Sequence, residues 1–561
     1  MMGGFPPIKT EQSKMDLHFK NSRINIFVIF LLVFLTHINI FGNQFVMDDF
    51  DYIVNWPLIH DIRNWPQFFV DFIPHPRQPG IYSPLKTLFH SINYQLFGLN
   101  PLGYHVVSLL IHFVCVGLVY FLARRLSGEA LTAFFSALIF GLHPLHVESI
   151  TYMTASIDMI GIAFLFASFY LYVQSCQGRF NKTHYLGSLM LACLAVFTHE
   201  LAISLPVLFL WYELTLNHAQ DTFKSKFSRC APFFLVVFCY AFCKYLVLGS
   251  VTRGEYIHGS FYLTMLVMIK AMAKYVLICV APFVLTHNQV ISRGIYSFDQ
   301  EDFDPSAVYA QSFFDGPTSS VFFTLVIICY LAVRFYKSKS LAVFCAGWFF
   351  ISLLPVMNII PSGVYFAERY LYPGMFAFSF LLAWGLFCLI KKQGWMKYAA
   401  VAFVICLTVF YSVRTLWRNR DWRDDMTIFE SAVRANPRSA LMRTDLGIIY
   451  TRYQRPDKAI ESFQKALAIR PDNPVTYFAM AEAFIQSGEN QKAKEVLQRA
   501  VSLNSEYAQA YYNLAGLYAL EKNMTEAKIN LDKALLFYRK HGQAQEAEQL
   551  QKAFEEFFVV R

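Results

Sequence analysis

Two adjacent carboxylates stand early in the chain, in Phe45-Val-Met-Asp48-Asp49-Phe-Asp51. A carboxylate held against apolar walls gains basicity, which a general base needs. Such walls follow at once in Trp56, Trp65, Phe68, Phe69 and Tyr82. The plainer reading of Asp48 and Asp49, a solvated or helix-capping pair, stands beside this one. A second cluster is His143-Pro144-Leu-His146-Val-Glu148, with Asp158 ten residues on. Imidazole and carboxylate together suit zinc or manganese. His143 and His146 at i, i+3 would share a helix face, but Pro144 disturbs that geometry. Phosphate binding, or ordering of the aspartate pair, is therefore the stronger role for His143, His146 and Glu148. A divalent cation is the weaker one.

The third group is Ala367-Glu368-Arg369-Tyr370-Leu371-Tyr372-Pro373. The planar fork and permanent charge of arginine suit a phosphate headgroup at a membrane interface. The alternative is interfacial snorkelling with a Glu368–Arg369 pair. Two weaker signals are His199-Glu200 and Tyr82-Ser-Pro84-Leu-Lys86. Lys86 would meet either a lipid phosphate or anionic lipids in general.

The elements that carry these groups are membrane helices. Of 561 residues, 56% are hydrophobic and 16% charged, against about 25% charged in soluble domains. With 57 Phe and 32 Tyr, one soluble core cannot absorb the apolar sequence. This excludes an ordinary soluble enzyme and a disordered chain. A crossing needs about 20 apolar residues. The runs 24–41, 104–123, 131–149, 157–176, 185–198, 200–215, 231–248, 319–336, 340–357, 370–390 and 397–414 qualify. The run 262–285 carries Lys270 and Lys274 at its middle, which is costly in lipid, and is read as making no net crossing.

About eleven passes result. Basic loops at Arg124 and Arg125, Arg179 and Lys182, Lys224 to Arg229, Arg334 to Lys339, and Lys391 and Lys392 fall inside. The N-terminus is then cytoplasmic and the C-terminus external. The expected organisation is a cytoplasmic segment 1–23, a transmembrane domain 24–417 with external loop 42–103, and a soluble domain 418–561. The polar patches around 42–103, 143–158, 198–200 and 355–373 gather on the external face. A net charge of +9, with its cations in short loops, reads as topology and gives no sign of nucleic-acid binding.

The tail repeats every 34 residues: Gly447, Ala481 and Ala515; Tyr450, Phe484 and Tyr518; Ala459, Ala493 and Ala527; Ala466, Ala500 and Ala534. This is the small-residue and aromatic pattern of tetratricopeptide repeats. Units are expected near 440–473, 474–507 and 508–541, with a half repeat near 424–439. Such a solenoid either binds a protein partner or serves as a spacer. None of the eleven cysteines lies beyond 406, so the tail has no disulfide framework or thiolate metal site. Asn523-Met-Thr525 is a glycosylation sequon.

These motifs, in this order and with this tail, resemble the transmembrane and tetratricopeptide-repeat-containing O-mannosyltransferases and their bacterial relatives, within the multi-spanning GT-C glycosyltransferases. The resemblance is carried by Phe45–Asp49 with Ile53 and Asn55, Tyr82–Leu85, Gly103-Tyr-His105, His143–Glu148, Glu200, Glu368–Pro373, and the junction Arg418-Asn-Arg-Asp421-Trp422-Arg-Asp424. It implies an all-α fold, with a polytopic GT-C-like helix bundle followed by a repeat solenoid. It implies a lumenal or periplasmic site in the endoplasmic reticulum or bacterial inner membrane. The donor would be a sugar, mannose or another hexose, on a polyprenyl phosphate, and the acceptor a protein hydroxyl presented through the repeats. Carried over, Asp48 and Asp49 are catalytic, with Asp48 the base. Lys86, His143, His146, Glu148, Glu200, Glu368, Arg369 and Tyr372 surround the donor. Where the family usually has Tyr-Arg-Pro-Leu this chain has Ser83, and where it usually has Lys before Glu200 it has His199. The competing class is a non-enzymatic membrane scaffold whose repeats recruit partners.

Overall fold

The structure, a computed structural model, describes residues 22–70, 73–75, 78–176, 180–217, 221–292, 295–297, 340–392 and 394–556, and between them residues 316, 318–320, 322, 323 and 330. It divides into two units, residues 1–424 and 425–561. The fold is helical, with two short antiparallel hairpins, Ile73–His75 with Gln78–Ile81 and Val290–Ser292 with Ile295–Tyr296.

In the first unit the apolar runs form helices because lipid offers no partner for backbone polar groups, which must pair within the segment. A helix lies at every predicted pass except 319–336, which falls mostly outside the described residues, as do the segment 1–21 and the basic residues 334–339. Among the described residues, six helices are long and apolar enough to cross a membrane, or seven if one bent pair counts as a span. Phe261–Val280, expected to make no crossing, is one of the six. Its lysines are turned to protein: Lys274 Nζ donates to the Val290 carbonyl at 2.5 Å and Lys270 Nζ reaches Ser292 Oγ at 3.4 Å. The hairpin at 290–296 thus answers part of the cost that argued against this helix.

Local signals set the helix ends. Pro101–Ser127 starts on Asn100, whose side chain accepts from Leu102 N, has proline in its first turn, and ends on Arg124, Arg125 and the left-handed Gly128. Ala130–Leu142 is followed, after a 48° bend, by Pro144–Thr151. Proline drives the preceding residue out of the helical region, and His143 is extended at φ −67°, ψ 127°. The bend carries Glu148 off the axis of the preceding helix. Trp348, fully buried, packs on Phe169 and Phe376 and donates to the Pro373 carbonyl at 2.9 Å. That fixes the corner below Glu368–Leu371. Leu235, Phe238, Phe242 and Leu246 on Phe223–Leu248 are exposed, as a lipid-facing side requires.

The second unit is a run of helices from Asp425–Ala435 to Ala544–Phe554. Ala459, Ala481, Ala493, Ala515 and Ala527 are fully buried where paired helices approach. At Gly447 a Cβ would stand 2.4 Å from the Phe463 ring, so the ring occupies the space a side chain would need. The 34-residue period does not reach the last helix, whose Ala547 and Phe554 bury against the preceding pair. A single closing helix has no repeat to be compared with, and it covers the apolar end of the stack.

Candidate functional site

The acidic pair sits on a tight turn after the 3-10 segment Ile38–Gly42. Met47 takes the left-handed conformation at φ 51°, a strained state for a residue with a Cβ. The turn is held by Asp49, two residues on. Asp49 is fully buried; its Oδ2 accepts from Val46 N at 3.0 Å, and its Oδ1 accepts from Thr154 N at 2.7 Å and Thr154 Oγ1 at 2.6 Å. Burial pushes the Asp49 carboxyl up to about 7 against these donors, with the Asp48 charge adding to the rise. Asp48 is half-buried on the other side of the turn. It hydrogen-bonds the Tyr152 hydroxyl; burial first, then the Asp48 charge, raises that phenol well above its ordinary value.

Tyr152 links the acids to the cations. Its ring stands 5.9 Å from the Arg369 guanidinium carbon. Arg369, on the turn Glu368–Leu371, ion-pairs with Glu148 and lies over Tyr370 at 5.3 Å. It lines a small cleft whose walls also include Ser149, Asp158, Met159, His199 and Tyr372. Asp158 is held from both sides, by Lys86 Nζ at 2.7 Å and His199 Nε2 at 3.4 Å. Next along the chain, Glu200 binds Lys244 at 2.8 Å and Arg253 at 2.5 Å, with the Tyr240 hydroxyl at 3.4 Å.

Arg253 was not visible in the sequence as a site residue. Its loop is docked on 361–363: Arg253 N and Gly254 N both donate to the Pro361 carbonyl, at 3.1 and 3.3 Å. A Cβ at Gly254 would stand 2.4 Å from Gly363 N, so glycine is required for this approach. Lys244 was hidden inside an apolar run, and only its distance from Glu200 reveals its role. Tyr152 was equally silent, as one aromatic among many.

Asp48, Asp49, Lys86, Glu148, Glu200 and Arg369 are thus gathered around Tyr152 and the cleft, and Tyr372 forms part of its wall. Three predicted residues point elsewhere. Glu368 turns inward, accepting from Thr286 N at 2.7 Å and pairing with Arg418 at 3.3 Å. Burial raises it to about 7 against the Arg418 charge. His143 is buried with its Nε2 3.0 Å from the Cys279 carbonyl. His146 is buried between Phe140 and Tyr372, with ring centroids 4.4 Å from each. The His-x-x-His spacing therefore does not converge, because the residues straddle the bend at Pro144. Among the described residues no group of three His, Cys, Asp or Glu side chains is arranged to hold a metal ion.

Residues 75–245 match the family described as dolichyl-phosphate-mannose-protein mannosyltransferase, and residues 450–502, 412–474 and 478–535 match tetratricopeptide repeats. The chain is 23% identical over 514 residues to protein O-mannosyl-transferase TMTC3 of Mus musculus, covering 80% of this chain and 51% of that one. It is 24% identical over 473 residues to protein O-mannosyl-transferase Tmtc3 of Drosophila melanogaster, covering 72% and 50%. The chain thus spans about half the length of these curated relatives. Among solved structures, ArnT from Cupriavidus metallidurans bound to undecaprenyl phosphate matches with 14% identity and a TM-score of 0.38, over 87% of this chain and 80% of that one.

Proposed function

We propose, from the premise that this chain is a multi-spanning relative of the tetratricopeptide-bearing protein O-mannosyl-transferases, that it is a membrane glycosyltransferase. It moves a sugar, mannose or another hexose, from a polyprenyl-phosphate carrier to a hydroxyl, that of Ser or Thr in a protein. The observation that carries the reading is the placement of Asp48 and Arg369 against one ring, Tyr152, beside an open cleft.

The chemistry needs little else. A glycosidic alkoxide must be protonated to leave, which is why hydrolases use two carboxylates. A lipid phosphate leaves as a stable anion, so one base suffices. Asp48 takes the acceptor's proton, and the hydroxyl oxygen forms a bond to the anomeric carbon from the face opposite the carrier. The bond from that carbon to the phosphate oxygen breaks, and its electron pair leaves with the phosphate, inverting the anomeric centre. Arg369, with Lys86 or His199, stabilises the charge that grows on the leaving oxygen, a contribution worth about 10²–10³ in rate by comparison with an oxyanion donor. Asp49, with both oxygens occupied, holds the turn. No metal takes part in this scheme.

The site works on the external or lumenal side, in the endoplasmic reticulum or bacterial inner membrane. A polyprenyl chain stays in the bilayer, so its headgroup is presented where the ionisable groups gather. The repeat unit supplies the protein contact. The test is direct: the purified chain is incubated with mannosyl-phosphoryl-polyprenol and Ser/Thr-rich peptides, with and without chelator, and the peptides are weighed. A hexose increment in both conditions supports the reading. Absence of transfer to any hydroxyl leaves the repeat scaffold as the function.

A further inference from the structure

The junction 418–424, one of the segments that carry the resemblance, has no part in the reaction above. Yet the end of Trp395–Asp421 and the two residues after it touch the acidic turn, the bend, Tyr152 and the Glu368 turn. Toward the acidic turn, Asn419 Nδ2 donates to the Thr36 carbonyl at 3.0 Å and to Asn39 Oδ1 at 2.8 Å. Asn39 Nδ2 donates back to the Leu416 carbonyl at 2.9 Å, Asn43 Nδ2 to the Asn419 carbonyl at 3.1 Å, and Gln44 N to the Arg423 carbonyl at 2.9 Å. Toward the bend, Thr415 Oγ1 donates to the Leu142 carbonyl at 2.9 Å. Toward Tyr152, Trp422 stacks at 5.6 Å between centroids with 29° between planes. Toward the donor turn, Arg418, only 1% exposed, reaches Glu368 at 3.3 Å while lying 5.7 Å over Trp422.

We propose that residues 415–423 are a positioning clamp for sugar transfer, setting the distance between the Asp48 turn and the Arg369 turn through Asn419, Trp422 and Arg418. The proposal rests on the glycosyltransferase reading. The contacts divide by target: Asn419 acts on the acid side through residues 36–44, and Arg418 acts on the phosphate side through Glu368. None of these side chains needs to touch substrate. Because near-attack geometry tolerates little error, a shift of about 1 Å at the acidic turn costs on the order of 100-fold in rate.

The two halves of the clamp predict different kinetics. Asn419→Ala releases only the acid side, so kcat falls by about 10- to 100-fold while KM for the polyprenyl-phosphate sugar stays within about twofold. Asn39→Ala breaks the same contact from the other helix and repeats the result should Asn419→Ala fold poorly. Arg418→Met with Glu368→Gln removes the buried pair without stranding a charge, and raises the donor KM by about tenfold with a smaller effect on kcat. Ser168→Ala, remote from the clamp and bonded to Ser188, controls for general destabilisation. If both asparagine variants and the double variant keep wild-type kcat and KM, the clamp is refuted while wild-type transfer still stands. If all variants lose kcat and KM together in step with their melting points, the segment is merely structural and the clamp is equally refuted. A wild-type chain that transfers no sugar refutes the underlying reading instead.

Discussion

Replacing Asp49 by Asn takes one acceptor oxygen from the turn that presents Asp48. The remaining oxygen keeps both Thr154 donors, but Nδ2 now faces Val46 N–H across 3.0 Å, donor against donor. Val46 is fully buried, so its amide finds no water. A lost hydrogen bond with an orphaned buried donor costs about 1–3 kcal/mol. Asp48→Asn strands no buried amide: Asp48 is half-buried, and the asparagine oxygen still accepts from the Tyr152 hydroxyl. What it removes is the base, worth about 10²–10⁴ in turnover, or about 3–5.5 kcal/mol of barrier. The assay measures unfolding midpoint and sugar transfer on the same detergent preparations. Asp49→Asn lowers the midpoint and reduces transfer less than Asp48→Asn; Asp48→Asn leaves the midpoint in place and nearly abolishes transfer. Near-normal turnover in Asp48→Asn, or an unchanged midpoint with abolished turnover in Asp49→Asn, would refute this division of labour.

Since Asp49 is raised to about 7 in the folded chain, against about 3.9 unfolded, the folded state holds an extra proton between those values and loses stability as pH rises through them. Asparagine does not titrate, so the stability difference between wild type and Asp49→Asn shifts against the wild type by about 2–3 kcal/mol from pH 5 to pH 8, and a pH-independent difference refutes the assignment. Gly254→Ala forces a Cβ to within 2.4 Å of Gly363 N; the Arg253 loop lifts off Pro361, and the donor KM rises by about tenfold, whereas unchanged kinetics would remove Arg253 from the site. Asn523-Met-Thr525 is exposed at a helix start and Asn181-Lys-Thr183 is exposed at another. With an external C-terminus, expression in a eukaryotic host adds a glycosidase-sensitive glycan at Asn523, lost in Asn523→Gln, and none at Asn181; the opposite pattern inverts the topology.

How much of this was legible depended on distance along the chain. The repeats could be read because their packing is periodic: Gly447 and Phe463 recur in register, and a period needs no partner to be seen. The acidic pair and the Glu368–Arg369 turn could be read because their chemistry is written in adjacent residues. The pairings could not. Lys244 and Arg253 meet Glu200 from 44 and 53 residues away, and Arg418 meets Glu368 from 50. Pro144 announced a break, yet not that Glu148 would swing toward Arg369 while His143 and His146 stayed in the core. Lys270 and Lys274 argued against a crossing because the sequence does not display the hairpin that receives them.

Among the described residues, four cations of the site have a carboxylate beside them: Lys86 has Asp158, Lys244 and Arg253 share Glu200, and Arg369 has Glu148. A nearly neutral mosaic casts little field beyond its own walls, so it does not draw anions from solution as a bare basic funnel does. On the proposed reading, a headgroup tethered in the bilayer would need no long-range attraction, because diffusion in two dimensions would bring it to the entrance, where it would have to offer each arginine a better match than the acid it displaces.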